Sequence, residues 1–178
     1  PPIHDFLNKF EYYDIFLVDP DSGDIVYSVF KELDFSTSLK DGAYANTGIA
    51  HAFKAANAST ESEFVHLTDF APYGPSYEDP ASFIATPIYE GDEKIGVLIF
   101  QMPIDRINAI MTHDQKWKES GLGDSGETYL IGSDYKMRSL SRFLLEDLSS
   151  YLELLKTLDN VSQKQLHSIQ SKKTSIGL

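Results

Sequence analysis

Apolar positions are densest over residues 81–102, ASFIATPIYEGDEKIGVLIFQM, where two apolar runs flank a short acidic break. Phe83 to Tyr89 mixes apolar and small residues, whereas Ile95 to Phe100 is apolar throughout, which predicts a central strand covered on both faces. Glu90-Gly91-Asp92-Glu93 supplies the turn between them, with Gly91 free to take a positive φ. An aromatic and β-branched run, Tyr12 to Val18, and a returning run, Asp24 to Phe30, predict a second strand pair. Ile49, Ala52, Phe53 and Ala56 recur at helical spacing behind Asn46-Thr47-Gly48, which predicts a helix over 49–56. Glu63 to Phe70 alternates as a further strand. The stretch 71–80 holds three prolines and two tyrosines, so it reads as a structured loop. Past Pro103 the spacing of Ile104, Ile107, Ile110 and Met111 predicts a helix, residues 127–132 and 135–141 a hairpin, and 148–158 and 161–169 two more helices.

Composition narrows the function. The chain has 178 residues, 42% hydrophobic, enough for one substantial domain or one and part of another. A net charge of −12 and dispersed basic residues argue against nucleic acid or an anionic membrane surface as the main partner. No run reaches the ~18 apolar residues of a membrane span, and no charged-then-apolar leader is visible. A chain opening at Pro1-Pro2 reads as an excised piece, leaving room for anchors outside it. The absence of cysteine excludes disulfides, thiolate metal sites and a Cys nucleophile.

Three motifs invite chemistry and lose it on spacing. Asp19-Pro20-Asp21-Ser22-Gly23-Asp24 resembles a calcium loop, but Asp24 and Phe30 occupy the places that need Gly and Glu, so a hairpin turn is the better reading. Gly121 to Gly126 matches G-x-G-x-x-G with a helix before and a strand after, the reverse of a dinucleotide site. His4, His51, His66, His113 and His167 are scattered, and no nucleophile elbow occurs. The expectation is a non-enzymatic protein without cofactor or metal.

The order strand, strand, helix, strand, loop, strand, strand is that of a PAS-like antiparallel sheet in an α+β fold. YYDIFLVDPDSGDIVYSVFKELDFSTSL, DFAPYGPSYEDPASFIATPIY, GVLIFQMPIDRINAIM and GLGDSGETYLIGSDYKMRSLSRF resemble the extracytoplasmic Cache sensor domains of bacterial transmembrane receptors, methyl-accepting chemotaxis proteins above all. The resemblance covers most of residues 11–143. It implies the end of an N-terminal helix over 1–11, a Cache module over 12–112, a linker and hairpin like the start of a second module over 113–143, and a helical segment over 144–178. It also implies a periplasmic location, flanking transmembrane helices, a possible homodimer, and a small-molecule ligand such as an organic carboxylate. A kinase or cyclase sensor, a ligand-free dimerisation module and a cytosolic cofactor-binding PAS domain are the alternatives.

In Cache domains the ligand lies between the sheet and the loop over it. The residues add their own support, since Tyr73 and Tyr77 beside Phe83 offer aromatic walls with hydroxyl donors. Lys31 could meet a carboxylate and Asp69 an amine; Tyr44 and Thr86 complete the candidate set. Against these stand plainer roles: Tyr73 and Tyr77 pinning the loop, Phe83 in the core, and Asp69 capping nearby backbone. Arg138 is read as structural. The amino-acid-binding signature of double Cache domains is not visible, because the sole tryptophan, Trp117, lies far along the chain.

Overall fold

The computed structural model describes residues 2–175. The chain divides into two compact units, Pro1–Pro103 and Ile104–Leu178. The break falls directly after the long hairpin.

The first unit begins with helix α1 (Pro2–Phe10), followed by strands β1 (Asp14–Val18) and β2 (Ile25–Ser28), helix α2 (Gly48–Ala58), and strands β3 (His66–Leu67), β4 (Ala71–Tyr73), β5 (Asp79–Ala81), β6 (Phe83–Glu90) and β7 (Glu93–Gln101). Five of the strands form one antiparallel sheet in the order β2-β1-β7-β6-β3. The apolar run 95–100 therefore sits in the middle, as its lack of a polar side requires. Gly91 turns the β6–β7 hairpin at φ +61° with nothing within 4 Å of where a Cβ would stand, so backbone conformation alone selects glycine.

Strand alternation sorts the two faces. Phe16, Val18, Phe83, Ala85, Val97 and Ile99 point inward and meet Ile49, Ala52, Phe53 and Ala56 of α2 in one buried core. Ile15, Leu17, Leu98 and Phe100 point outward, where α1 lays Ile3 and Phe6 beside them around a groove of about 350 Å³. Lys94 on β7 donates to the carbonyls of Asn57 and Ser59, satisfying the last turn of α2 and fixing helix to sheet.

β3 is shorter than the alternation over 63–70 predicts. One backbone bond continues past it, from the Thr68 amide to the Phe83 carbonyl at 2.9 Å, and side chains take the remaining groups: the Thr68 hydroxyl accepts the Phe83 amide at 3.0 Å and the Ser82 hydroxyl donates to the Thr68 carbonyl at 2.6 Å. The proline-rich stretch is a separate two-stranded ribbon, Pro72 opposite Pro80, with a 3₁₀ turn over Gly74–Ser76. Tyr77 and Glu78 both take left-handed backbone, φ +56° and +64°. Two such residues in succession cost on the order of 1 kcal/mol each, which the ribbon's attachments must offset. At the β1–β2 turn, Asp19 accepts the amides of Asp21 and Ser22 at 3.0 and 2.6 Å, an acidic turn closing on its own backbone.

The second unit comprises α3 (Ile104–Met111), α4 (Arg142–Glu146), α5 (Leu148–Lys156) and α6 (Gln163–Lys172). Leu144, Tyr151, Leu155, Leu166 and Ile169 form its core. The hairpin expected over 127–141 is reduced to one bridge, Ile131 with Met137, since two short strands without a sheet to join gain little from pairing. Within that turn Arg138 donates to Asp134 at 2.7 Å and to the Lys136 carbonyl. The glycine run turns carbonyls rather than amides toward a charge: Arg142 donates to the oxygens of Gly123 and Gly126, its guanidinium 4.8 Å from the Trp117 ring. An anion cradle needs the opposite polarity.

Candidate functional site

Polar residues interrupt the inward face of the sheet at one end. Register places Asp14, the first residue of β1, directly opposite Gln101, the last of β7. By alternation both share the face of Phe16 and Ile99, and both are buried, 0% and 2% exposed. Ser28 ends β2 on the same face, its hydroxyl accepting the Lys31 amide at 2.7 Å.

The segment after β2 and the ribbon close over this end. Asp34 is fully buried and accepts the Tyr73 hydroxyl at 2.5 Å. Gln101 donates through Nε2 to the Ser76 hydroxyl at 2.9 Å, and Tyr13 donates to Glu32 at 3.2 Å. Three side-chain bonds thus tie this end together: Tyr73 of the ribbon and Tyr13 before β1 donate to the post-β2 segment, and Gln101 at the sheet end donates to Ser76 of the ribbon. Aromatic rings line the same place: Tyr73 stands edge-on to Phe83 at 5.0 Å and 6.0 Å from Tyr44, with Phe16 beyond at 6.4 Å from Phe83.

Protein donors do not use up these acceptors. Asp14 Oδ1 takes the amides of Ile15 and Val29 at 2.7 and 2.9 Å, but Asp14 Oδ2 receives nothing. Glu32 Oε2, Asp34 Oδ1 and Gln101 Oε1 are likewise buried with no donor among the described residues. Burial pushes the Asp14 carboxyl up to about 6 against the pull of the backbone amides of Ile15, Val29 and Phe30, and the neighbouring Asp34 charge adds to the rise. Burial also raises Asp34 and Glu32, each opposed by its tyrosine hydroxyl. The Tyr73 hydroxyl is raised by burial and then by Asp34, so it stays protonated and serves as a donor.

The structure brings together only part of the sequence-derived candidate set. Tyr44, Tyr73 and Phe83 meet in the aromatic cluster, with Phe83 wholly inside the core. Tyr77 follows Tyr73 by four positions but is 84% exposed, because the 3₁₀ turn and its own left-handed backbone swing it outward. Asp69 is exposed and accepts the Phe70 amide at 2.7 Å. Lys31 is exposed, its ammonium 5.5 Å from the Phe35 ring. Thr86 pairs with Leu98, and alternation puts it on the opposite face from Phe83. Asp14, Glu32, Asp34, Ser76 and Gln101 were not in that set. Two of them left a signal, since Asp14-x-Phe16-x-Val18 and Val97-x-Ile99-x-Gln101 each carry one polar residue on an otherwise apolar parity.

No family model matches the chain, and no curated protein matches it. Among solved structures it is similar to the ligand-binding domain of the Campylobacter jejuni chemoreceptor Tlp3 in complex with 4-methylisoleucine, with a TM-score of 0.54 at 11% identity over 90% of this chain and 52% of that one. It is also similar to the ligand-binding domain of the Pseudomonas fluorescens chemoreceptor CtaA in complex with L-serine, with a TM-score of 0.50 at 14% identity over 75% of this chain and 50% of that one. The chain spans about half the length of these structures. At such identities the likeness is one of fold: an α+β domain of the PAS-like Cache type with a five-stranded antiparallel sheet.

Proposed function

We propose that this chain is the extracytoplasmic ligand-sensing domain of a transmembrane signalling receptor, of the chemotaxis kind in the first instance. It binds a small metabolite between the inward face of the sheet and the ribbon 71–81. The observation that carries the reading is the set of four buried acceptor oxygens with no donor among the described residues, at the inward sheet end and the segment over it, in a fold whose solved examples include ligand-binding domains in complex with L-serine and 4-methylisoleucine. A buried polar atom without a partner costs about 1–3 kcal/mol, so such a group favours any ligand that supplies the missing bond. Among the described residues no helix is long and apolar enough to cross a membrane. In this reading membrane anchors lie in flanking segments, and the domain binds rather than transforms its ligand.

Signalling follows from the attachments. Ser76 bonds Gln101 and Tyr73 bonds Asp34, so the ribbon's seating is read at the last residue of β7, where the chain leaves the unit. A ligand bonding these groups shifts the balance between seated and lifted ribbon by no more than its differential affinity for the two. A thermal-shift screen of the purified chain against amines, amino acids, organic acids and sugars tests the reading. Ligand at 100 times its dissociation constant adds about 2.7 kcal/mol, a shift of several degrees. Tyr73→Phe, which keeps the ring but releases the ribbon from Asp34 and so unseats the cover of the site, is expected to weaken the hit about tenfold while Tyr77→Ala leaves it unchanged. Equal affinity in Tyr73→Phe and wild type would remove the ligand from this site.

A further inference from the structure

We infer that the site takes a compact organic cation, an aliphatic amine, diamine or alkylguanidine without a carboxylate, held by Asp14, Glu32, Asp34 and Gln101. This rests on the sensing reading above and names the ligand class for it.

Acceptors outnumber donors at this end of the sheet. Asp14 stands opposite Gln101 in register, the Asp34 charge acts on both Asp14 and Glu32, and each of the four keeps one buried oxygen with no hydrogen-bond donor among the described residues. Two tyrosine hydroxyl donors of the site are already engaged, Tyr73 on Asp34 and Tyr13 on Glu32. No ion pair among those described involves the three carboxylates, and the one basic side chain nearby in sequence, Lys31, is exposed with its ammonium over Phe35. Inverting the Gln101 amide would place its two N–H donors where that oxygen stands, and Asp34 and Glu32, on the segment after β2, would still lack donors. Only a ligand rich in N–H donors satisfies the set, and an ammonium brings three, a guanidinium five. Buried carboxylates also need a counter-charge, because desolvation disfavours a lone one. The rings of Tyr44, Tyr73 and Phe83 add faces and edges that suit an alkylammonium or guanidinium chain. A carboxylate ligand would face three like charges, which repel it. Gln101 makes the cluster more than a patch of acidic residues: it is neutral, almost wholly buried, and opposite Asp14 in register, with its carbonyl oxygen turned to no protein group.

The test is calorimetric titration of the whole chain with n-butylamine, 1,4-diaminobutane and methylguanidine, and with butyrate, succinate and galactose as counterparts. The expected result is saturable binding of at least one cation and none of the carboxylates. Asp34→Asn is expected to weaken that binding at least about tenfold. Because Asp34→Asn could also disturb the Tyr73 bond, wild type provides a second readout: the cation's affinity drops several-fold between pH 7.5 and pH 5, where protons compete for Asp14, Asp34 and Glu32 beside Tyr13 and Tyr73. Binding of a carboxylate or sugar with the amines silent overturns the cation assignment and leaves the sensing reading standing. Silence from all six probes overturns the cation assignment, and the sensing reading falls with it only if the wider screen is flat too. Cation binding that is indifferent to both Asp34→Asn and pH places the cation elsewhere and overturns the inference.

Discussion

Phe83→Ala is expected to lower the unfolding free energy by about 3–5 kcal/mol, the range for deleting a buried aromatic ring. Phe83 is 1% exposed, edge-on to Tyr73 and beside Phe16, and a Cβ added at Gly48 would lie 3.3 Å from its ring. It is the point where α2, the sheet and the ribbon all touch, so no single neighbour can collapse into the space its loss leaves. Urea denaturation checks this. With a slope near 2 kcal/mol/M, the midpoint should fall by more than about 1 M with the slope unchanged. A loss below about 1 kcal/mol would mean that Phe83 borders a yielding surface and belongs to the binding wall alone.

Acidification is expected to stabilise the ligand-free domain, contrary to the usual behaviour of an acidic protein. The Asp14 carboxyl has a folded pKa of about 6 against an ordinary 3.8, so between those values the folded chain holds the proton more tightly than the unfolded one. Its contribution is fully present below pH 3.8 and is lost as pH rises through 6. At about 1.4 kcal/mol per pKa unit the contribution is at most about 3 kcal/mol. Asp34 and Glu32, also raised, act in the same direction. Asp19, lowered by the Ser22 amide and hydroxyl, acts oppositely, its contribution present above 3.8 and lost as pH falls through its depressed value. Stability should therefore climb from pH 7.5 to about pH 4 and fall below that, with a melting temperature several degrees higher at pH 5 than at pH 7.5. Asp14→Asn keeps an oxygen for the amides of Ile15 and Val29 and removes the charge. It should melt higher than wild type at pH 7.5 and show a flatter profile, at the expense of ligand affinity. A wild-type profile that declines steadily on acidification would place Asp14 in contact with water.

Most of the first unit was legible in the sequence. The β6–β7 hairpin, its Gly91 turn, the β1–β2 pair and α2 follow from alternation, helical spacing and turn residues, because each is a local pattern that burial then reinforces. Local patterns say less about pairing. Residues 127–141 carry strand-like alternation but join no sheet, and only one bridge forms. The site was legible in its aromatics and not in its acids. Tyr44, Tyr73 and Phe83 stand out as large residues around a proline-rich loop. Tyr77 cannot be told from Tyr73 until the 3₁₀ turn and the left-handed backbone at 77–78 set their directions. Asp14 meets Gln101 across 87 positions and Asp34 meets Tyr73 across 39, encounters fixed by register and by the ribbon's seating. In a chain with 27 Asp and Glu, nothing local marks the few that are buried.

The most direct test of a ligand site beneath the ribbon is a ¹⁵N–¹H correlation spectrum of the labelled chain, titrated with the compound that stabilises it most. The account predicts the largest shifts at the Gln101 side-chain amide and at the backbone amides of Ile15, Val29, Ser76 and Tyr77. Shifts confined to α1 and the outward residues Leu17, Thr86 and Leu98, or to residues beyond Pro103, would contradict it.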